Sequence, residues 1–184
     1  VVAHDESGIT PGVKAIARHL ARYGYSVIVP DLSRGQQAAD GFEWVVSDVA
    51  DAVDSTRIPG VEWASDVQLM VLGIGTGAVP AAIVAIEEEL SDLVLVDGSL
   101  DADLLQSFGG ALTVLQGGSD ERVTPDELKE LHSAMGRGEW IVYPSAGEGF
   151  FDEGAPGFDS GAAADALIRV VAIADRLSGA TVSD

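Results

Sequence analysis

The chain has 184 residues, 47% hydrophobic and 22% charged, the make-up of one folded domain with a sizeable core. Thirty acids, 18 of them Asp, face ten bases for a net charge of −20, and a surface of that sign repels phosphate backbones and anionic lipid. With no cysteine, disulfides, thiolate nucleophiles and Cys-ligated metals are excluded. No apolar run reaches the roughly 18 residues of a membrane span. No charged segment leading into an apolar one marks a signal peptide. These features set nucleic-acid and membrane partners aside and fit a cytoplasmic protein. The acidic balance has two open readings, adaptation to a salt-rich cytoplasm and the habit of a Lys-poor lineage, since salt screens self-repulsion.

The chain opens on the end of a strand, residues 1–4. A helix follows over 11–23, with Thr10 as N-cap, Pro11 in the first turn and Gly24 closing it; Val13, Ile16, Ala17 and Leu20 recur at helical spacing. Residues 26–29 form a β-branched strand stopped by Pro30. A second helix covers 42–55, with Trp44, Val45, Val49 and Val53 inward. Strands are expected over 67–72, 93–96, 112–115 and 140–143, and helices over 78–90, 125–135 and 162–177. Apolar strands separated by helices predict a mostly parallel sheet of about six strands, covered on both faces in a three-layer α/β sandwich. The single domain is expected over residues 1–177, with a flexible polar tail over 178–184. The longest loop, 144–161, is of a length that is often functional.

The most informative stretch is Gly73-Ile74-Gly75-Thr76-Gly77, between an apolar strand and an apolar helix. That setting is the G-x-nucleophile-x-G elbow of a hydrolase, with glycine where Ser or Cys should stand. A second chemistry fits the same turn. Gly73, Gly75 and Ala78 match G-x-G-x-x-A, and Asp97 lies 22 residues after Gly75, near the place of a ribose-binding acid. This alternative is a nucleotide or methyl-donor cofactor domain. A dinucleotide turn normally follows the first strand of its sheet, however, and here two strands come earlier. Further on, Asp120 follows a strand within Gly117-Gly118-Ser119-Asp120-Glu121-Arg122-Val123-Thr124-Pro125, where a triad acid belongs. The last strand runs into Tyr143-Pro144-Ser145-Ala146-Gly147-Glu148-Gly149-Phe150, where the order nucleophile, acid, His calls for a histidine.

With these blocks in order, the chain resembles the dienelactone hydrolase family of α/β-hydrolases. Residues 1–11 look like that family's first strand and oxyanion loop. Gly24-Tyr25-Ser26-Val27-Ile28-Val29-Pro30-Asp31-Leu32 is similar to its "GY-apolar-PDL" strand, and residues 143–150 to its "YPGAGHGF" block except at the His. The resemblance implies an α/β-hydrolase-like fold without a cap domain. Carried over by position, Gly75 holds the nucleophile place, Asp120 the triad acid and Glu148 the place of the His. Backbone N–H groups of Glu6 and Thr76 would line the oxyanion hole. Asp5 stands for the acid beside the nucleophile, and Phe150 joins Asp5 in the pocket. The family's carboxylate-gripping Arg has no counterpart, the next Arg after Glu148 being Arg169. Of the histidines, His4 ends the first strand near the site, while His19 and His132 sit on helices and read as surface residues. No cofactor and no metal are expected. The expectation is a catalytically impaired or non-catalytic relative of carboxylic-ester hydrolases, with a small-molecule ligand and a monomeric or homodimeric state. Glu148 and Asp120 have two open readings, two solvated loop acids or a pair facing each other in the vacated pocket, where one carboxyl would be pushed up.

Overall fold

Strands and helices alternate along the chain in the computed structural model, which describes residues 1–33, 42–57, 68–98, 100–121, 123–135 and 137–179. In order they are β1 (Val2–Ala3), α1 (Pro11–Arg22), α2 (Phe42–Asp54), β2 (Met70–Ile74), α3 (Ala78–Glu87), β3 (Asp92–Val96), α4 (Ala102–Ser107), β4 (Ala111–Gly117), α5 (Pro125–Ala134), β5 (Gly138–Tyr143) and α6 (Ser160–Ser178). The strands pair in parallel in the order β1-β2-β3-β4-β5. Register aligns Leu72 with Val94 and Val96 with Leu115, so the loops leaving the strands gather along one edge.

Alternate strand residues feed two separate cores. Val71, Leu93, Leu95 and Val114 pack with Val49, Val53, Leu105 and Leu131, which belong to α2, α4 and α5. Leu72, Val94, Val96 and Leu115 pack with Val13, Ile16, Ala166 and Val170 of α1 and α6. Apolar residues of both parities in β2, β3 and β4 are therefore buried on one face or the other, which is why these central strands read as hydrophobic runs, while the edge strand β5 is partly exposed. Three layers result. Full burial of one such Val or Leu contributes about 1.5–3 kcal/mol.

Caps set the helix ends as the residue types dictate. Thr10 accepts the Val13 N–H at 3.1 Å ahead of Pro11. Thr124 and Glu127 form a reciprocal capping box on α5, and Asp159 accepts the Gly161 and Ala162 N–H groups at the start of α6. Gly179 ends α6 at φ +68.

Three expectations change. The sheet has five strands among the described residues, not about six: residues 26–29 are not a strand, although Val2 N–H donates to Ile28 C=O at 2.9 Å. Their neighbour β1 is only two residues long, too short to template a ladder, and Pro30 has no N–H to extend one. Helix α4 is an addition. It is short and starts on Asp101, whose carboxylate accepts the Asp103 and Leu104 N–H groups. The last helix begins two residues earlier than its apolar periodicity suggests, because the Asp159 cap fixes its start. The side chain of Trp44, residue Val67 and residues 180–184 of the expected tail lie outside the described residues.

Candidate active site

Strand β2 delivers Ile74 to the carboxyl edge of the sheet, and a single 3-10 turn, Gly75–Gly77, passes directly into α3. Packing requires two of its glycines. A Cβ on Gly73 would stand 2.7 Å from Ala78 Cα, and one on Gly77 would stand 2.4 Å from the carbonyl oxygen of Ala3. Gly75 is different. Its φ is +55, the left-handed conformation in which an elbow displays its central residue. A Cβ there would be 2.9 Å from Asp5 Cβ and 3.3 Å from Asp5 Oδ2, and its three nearest heavy atoms all belong to Asp5. The elbow is thus formed without a side chain at its tip, and the Asp5 carboxylate leans over the vacancy.

A cleft of about 500 Å³ opens at this edge, the usual ligand position in open parallel sheets. Its walls include Asp5, Glu6, Gly75, Asp97, Glu148, Phe151 and Asp152. Gly75 and Glu148 therefore meet in one cleft. Asp120 does not line it. Its side chain is buried after β4, where Oδ2 accepts from Gln116 Nε2 at 3.4 Å. Glu148 is exposed in the loop after β5, whereas Asp120 is 5% exposed, so of the two acids only Glu148 is a solvated loop residue. Phe150 is also corrected. It is wholly buried against Tyr143 and the second core, and the next residue, Phe151, faces the cleft.

Asp97 joins these layers. It is 2% exposed, and Oδ1 accepts from Gln116 Nε2 at 3.2 Å and from Gly117 N–H at 3.4 Å, while Oδ2 accepts the Gly149 N–H. Its φ of +56 is uncommon for a residue with a side chain, though Asp tolerates it better than most. The end of β3, the end of β4 and the loop after β5 are tied together through this one carboxylate. Asp152 does the same for α1. It accepts the Thr10 hydroxyl at 2.5 Å and the Gly154 N–H at 2.8 Å, so one buried acid joins the long loop to the start of the first helix. Sequence reasoning did not single out Asp152; the available signal was its place in the loop 144–161.

The expected oxyanion donors are differently employed. Glu6 N–H donates to Thr76 Oγ1 at 3.1 Å, and the Thr76 hydroxyl donates to Glu6 Oε2 at 2.5 Å. The Thr76 N–H lies in the first turn before α3, where the helix supplies no acceptor. Asp5 Oδ1 accepts the Ser7 N–H at 2.8 Å. Burial pushes the Asp5 carboxyl above the ordinary carboxylate range, the Ser7 backbone bond opposes this, and the neighbouring charges of Glu6 and Asp152 add to it.

Among the described residues, no histidine lines the cleft. His4 is buried, with Nε2 accepting the Leu32 N–H at 3.1 Å, which leaves Nδ1 to donate to the Asp5 carbonyl at 2.7 Å. It pins the first loop to the chain after residue 30. His19 stacks near Tyr23 on α1, and His132 meets Trp140 edge-on. Arg169 is held by Asp165 on α6. Among the described residues, no group of three or more His, Asp or Glu is arranged to hold a metal ion, and no helix is long and apolar enough to cross a membrane.

The family model of the dienelactone hydrolases matches residues 1–177. The chain belongs to the dienelactone hydrolase family. Solved structures agree in fold. A candidate dienelactone hydrolase of Klebsiella pneumoniae superposes with a TM-score of 0.78 at 19% identity, over 95% of this chain and 85% of that one. A dienelactone-hydrolase-like promiscuous phosphotriesterase from metagenomic libraries gives 0.73 at 20% identity, over 96% and 84%. A dienelactone hydrolase of Anabaena variabilis gives 0.70 at 19% identity, over 96% and 82%. No curated protein sequence matches the chain.

Five carboxylates, those of Asp5, Glu6, Asp97, Glu148 and Asp152, line the cleft, and among the described residues no Lys or Arg does. The charged part of the wall is acidic, and Ile74, Phe151, Ala155 and Pro156 supply an apolar part.

Proposed function

We propose that this member of the dienelactone hydrolase family has lost the acyl-enzyme route and keeps its cleft for a small molecule. The observation that carries the reading is Gly75, an elbow tip at φ +55 with nothing to attack a carbonyl. Covalent acyl transfer needs an oxygen or sulfur nucleophile with a base in hydrogen-bond reach, the base being oriented by a third group. The chain has no cysteine, the tip has no hydroxyl, and Glu148 stands where the imidazole should be. A carboxylate lacks the two opposed ring nitrogens that let histidine hold the acid with one and serve the nucleophile with the other. Asp120, in the triad-acid position, accepts from Gln116 Nε2 and meets no histidine among the described hydrogen bonds.

The cofactor alternative would call on Asp97 to hold a ribose, but both of its oxygens accept bonds from protein donors. A cytoplasmic monomer or homodimer is part of the same reading, from the cysteine-free acidic composition.

The test uses p-nitrophenyl acetate and butyrate with intact-protein mass measurement. The expected result is no burst of nitrophenol and no acyl adduct. A burst with a matching adduct, or turnover that disappears in Asp120→Asn, overturns the reading.

A further inference from the structure

The geometry points to a non-covalent hydrolysis in this cleft, with Asp5 as the general base that activates water over Gly75, acting on small esters or lactones that carry no negative charge. The inference rests on the loss of the acyl-enzyme route proposed above and names what the same cleft can still do.

Asp5 is the side chain closest to the vacancy. Its Oδ2 lies 3.3 Å from the point where a Cβ on Gly75 would stand. Oδ1 is anchored by the Ser7 N–H, which fixes the carboxylate while Oδ2 is turned to the elbow. A water accepted on that oxygen occupies the space from which an elbow nucleophile would attack. The glycine leaves room for the water, whereas any side chain at position 75 would displace it or Asp5. The Thr76 N–H, without an intrahelical acceptor, remains as one donor for a developing oxyanion. The Glu6 N–H is already bonded to Thr76 Oγ1, so the hole is half-built and the activity modest.

The step balances without a cofactor. Asp5 Oδ2 takes one proton from water as the water oxygen bonds to the acyl carbon, and the carbonyl electron pair moves onto oxygen. Collapse of this tetrahedral species breaks the bond to the leaving oxygen, which takes the proton back from Asp5. A carboxylic acid and an alcohol are released and Asp5 is regenerated as carboxylate.

Charge selects the substrate class. Among the described residues, the titratable groups that line the cleft with Asp5 are acids: Glu6 on its own loop, Asp97 after β3, and Glu148 and Asp152 on the loop after β5, while the buried His4 meets only the Asp5 carbonyl from behind. An anionic acyl group would enter against this field and an uncharged one would not. The raised Asp5 carboxyl is a stronger base than an ordinary carboxylate once ionised.

The experiment measures hydrolysis of p-nitrophenyl acetate and of its anionic counterpart, p-nitrophenyl hydrogen succinate, by the wild-type chain and by Asp5→Asn, with buffer rates subtracted. The wild type should exceed Asp5→Asn by at least about a hundredfold in kcat/KM, the low side of what a positioned base supplies. It should favour the acetate and show no acyl adduct. Because a misfolded variant would also lose activity, the wild-type pH profile is a second reading. The rate should rise to a plateau as one carboxyl ionises, and a rate without such an inflection overturns the proposal. Equal rates in wild type and Asp5→Asn, without an adduct, overturn this inference and leave the loss of acyl transfer standing. An adduct overturns both. A preference for the succinate refutes the charge argument and with it the substrate class.

Discussion

Replacing Gly75 by Ser restores the atom that the elbow lacks, and the structure says what it costs. A residue with a Cβ at φ +55 bears about 1–2 kcal/mol of backbone strain. The new Cβ would sit 2.9 Å from Asp5 Cβ, about 0.5 Å inside the 3.4 Å at which ordinary contact begins. Asp5 must then shift, weakening its bond from Ser7 N–H, for a further ~0.5–1 kcal/mol. Stiffening of the unfolded chain returns ~0.4–1 kcal/mol. The net loss is about 0.5–2.5 kcal/mol. For a chain of this size that lowers Tm by roughly 1–10 °C at 2–4 °C per kcal/mol. Calorimetry or fluorescence-monitored melting measures it. The variant should still show no acyl-enzyme burst, because Glu148 remains in the histidine position; adding Glu148→His is the step expected to produce one. A Gly75→Ser protein as stable as the wild type would refute the reasoning, since neither the positive φ nor the Asp5 contact would then matter.

Three more outcomes follow from the same contacts. Asp5→Asn should stabilise the protein at neutral pH: the folded-state pKa is raised, so the stability contributed by this carboxyl is fully present below its unfolded value of 3.8 and is lost as pH rises through the folded one. Urea midpoints of variant and wild type should therefore differ at pH 7 and converge below pH 4; a constant difference would show that charge is not the cause. Asp97→Ala removes the acceptor of Gln116, Gly117 and Gly149 and puts alanine at φ +56, which should cost about 2–4 kcal/mol, whereas Asp97→Asn keeps part of the bonding and should cost less. Equal losses in the two variants would contradict the bonding account. Finally, a net charge of −20 should make the melting temperature climb between dilute buffer and molar KCl as the screening length falls from ~10 Å or more to ~3 Å, and equal values would dismiss a salt-adapted surface.

The sequence by itself determined the family and the order of the elements. Unbroken apolar strands, Pro11 behind Thr10 and the glycine turn after residue 72 are local signals, and local propensity and hydrophobic period are set by neighbours a few residues away. It also determined which chemistry is missing, because the identities at positions 75 and 148 are legible without coordinates. Where the pairing partner mattered, reading fell short: residues 26–29 have strand composition, but the two-residue β1 beside them decides that they are not one.

Tertiary structure alone decided how the site is built. Asp5 over Gly75, Asp97 on Gly149 and Thr10 on Asp152 join residues 70, 52 and 142 positions apart. No periodicity encodes such contacts, which depend on where three loops meet at the sheet edge. The same meeting put Phe150 into the core and Phe151 into the cleft, a one-residue difference in facing that composition cannot resolve. It also buried Asp120 and left Asp5 as the carboxylate nearest the vacated tip.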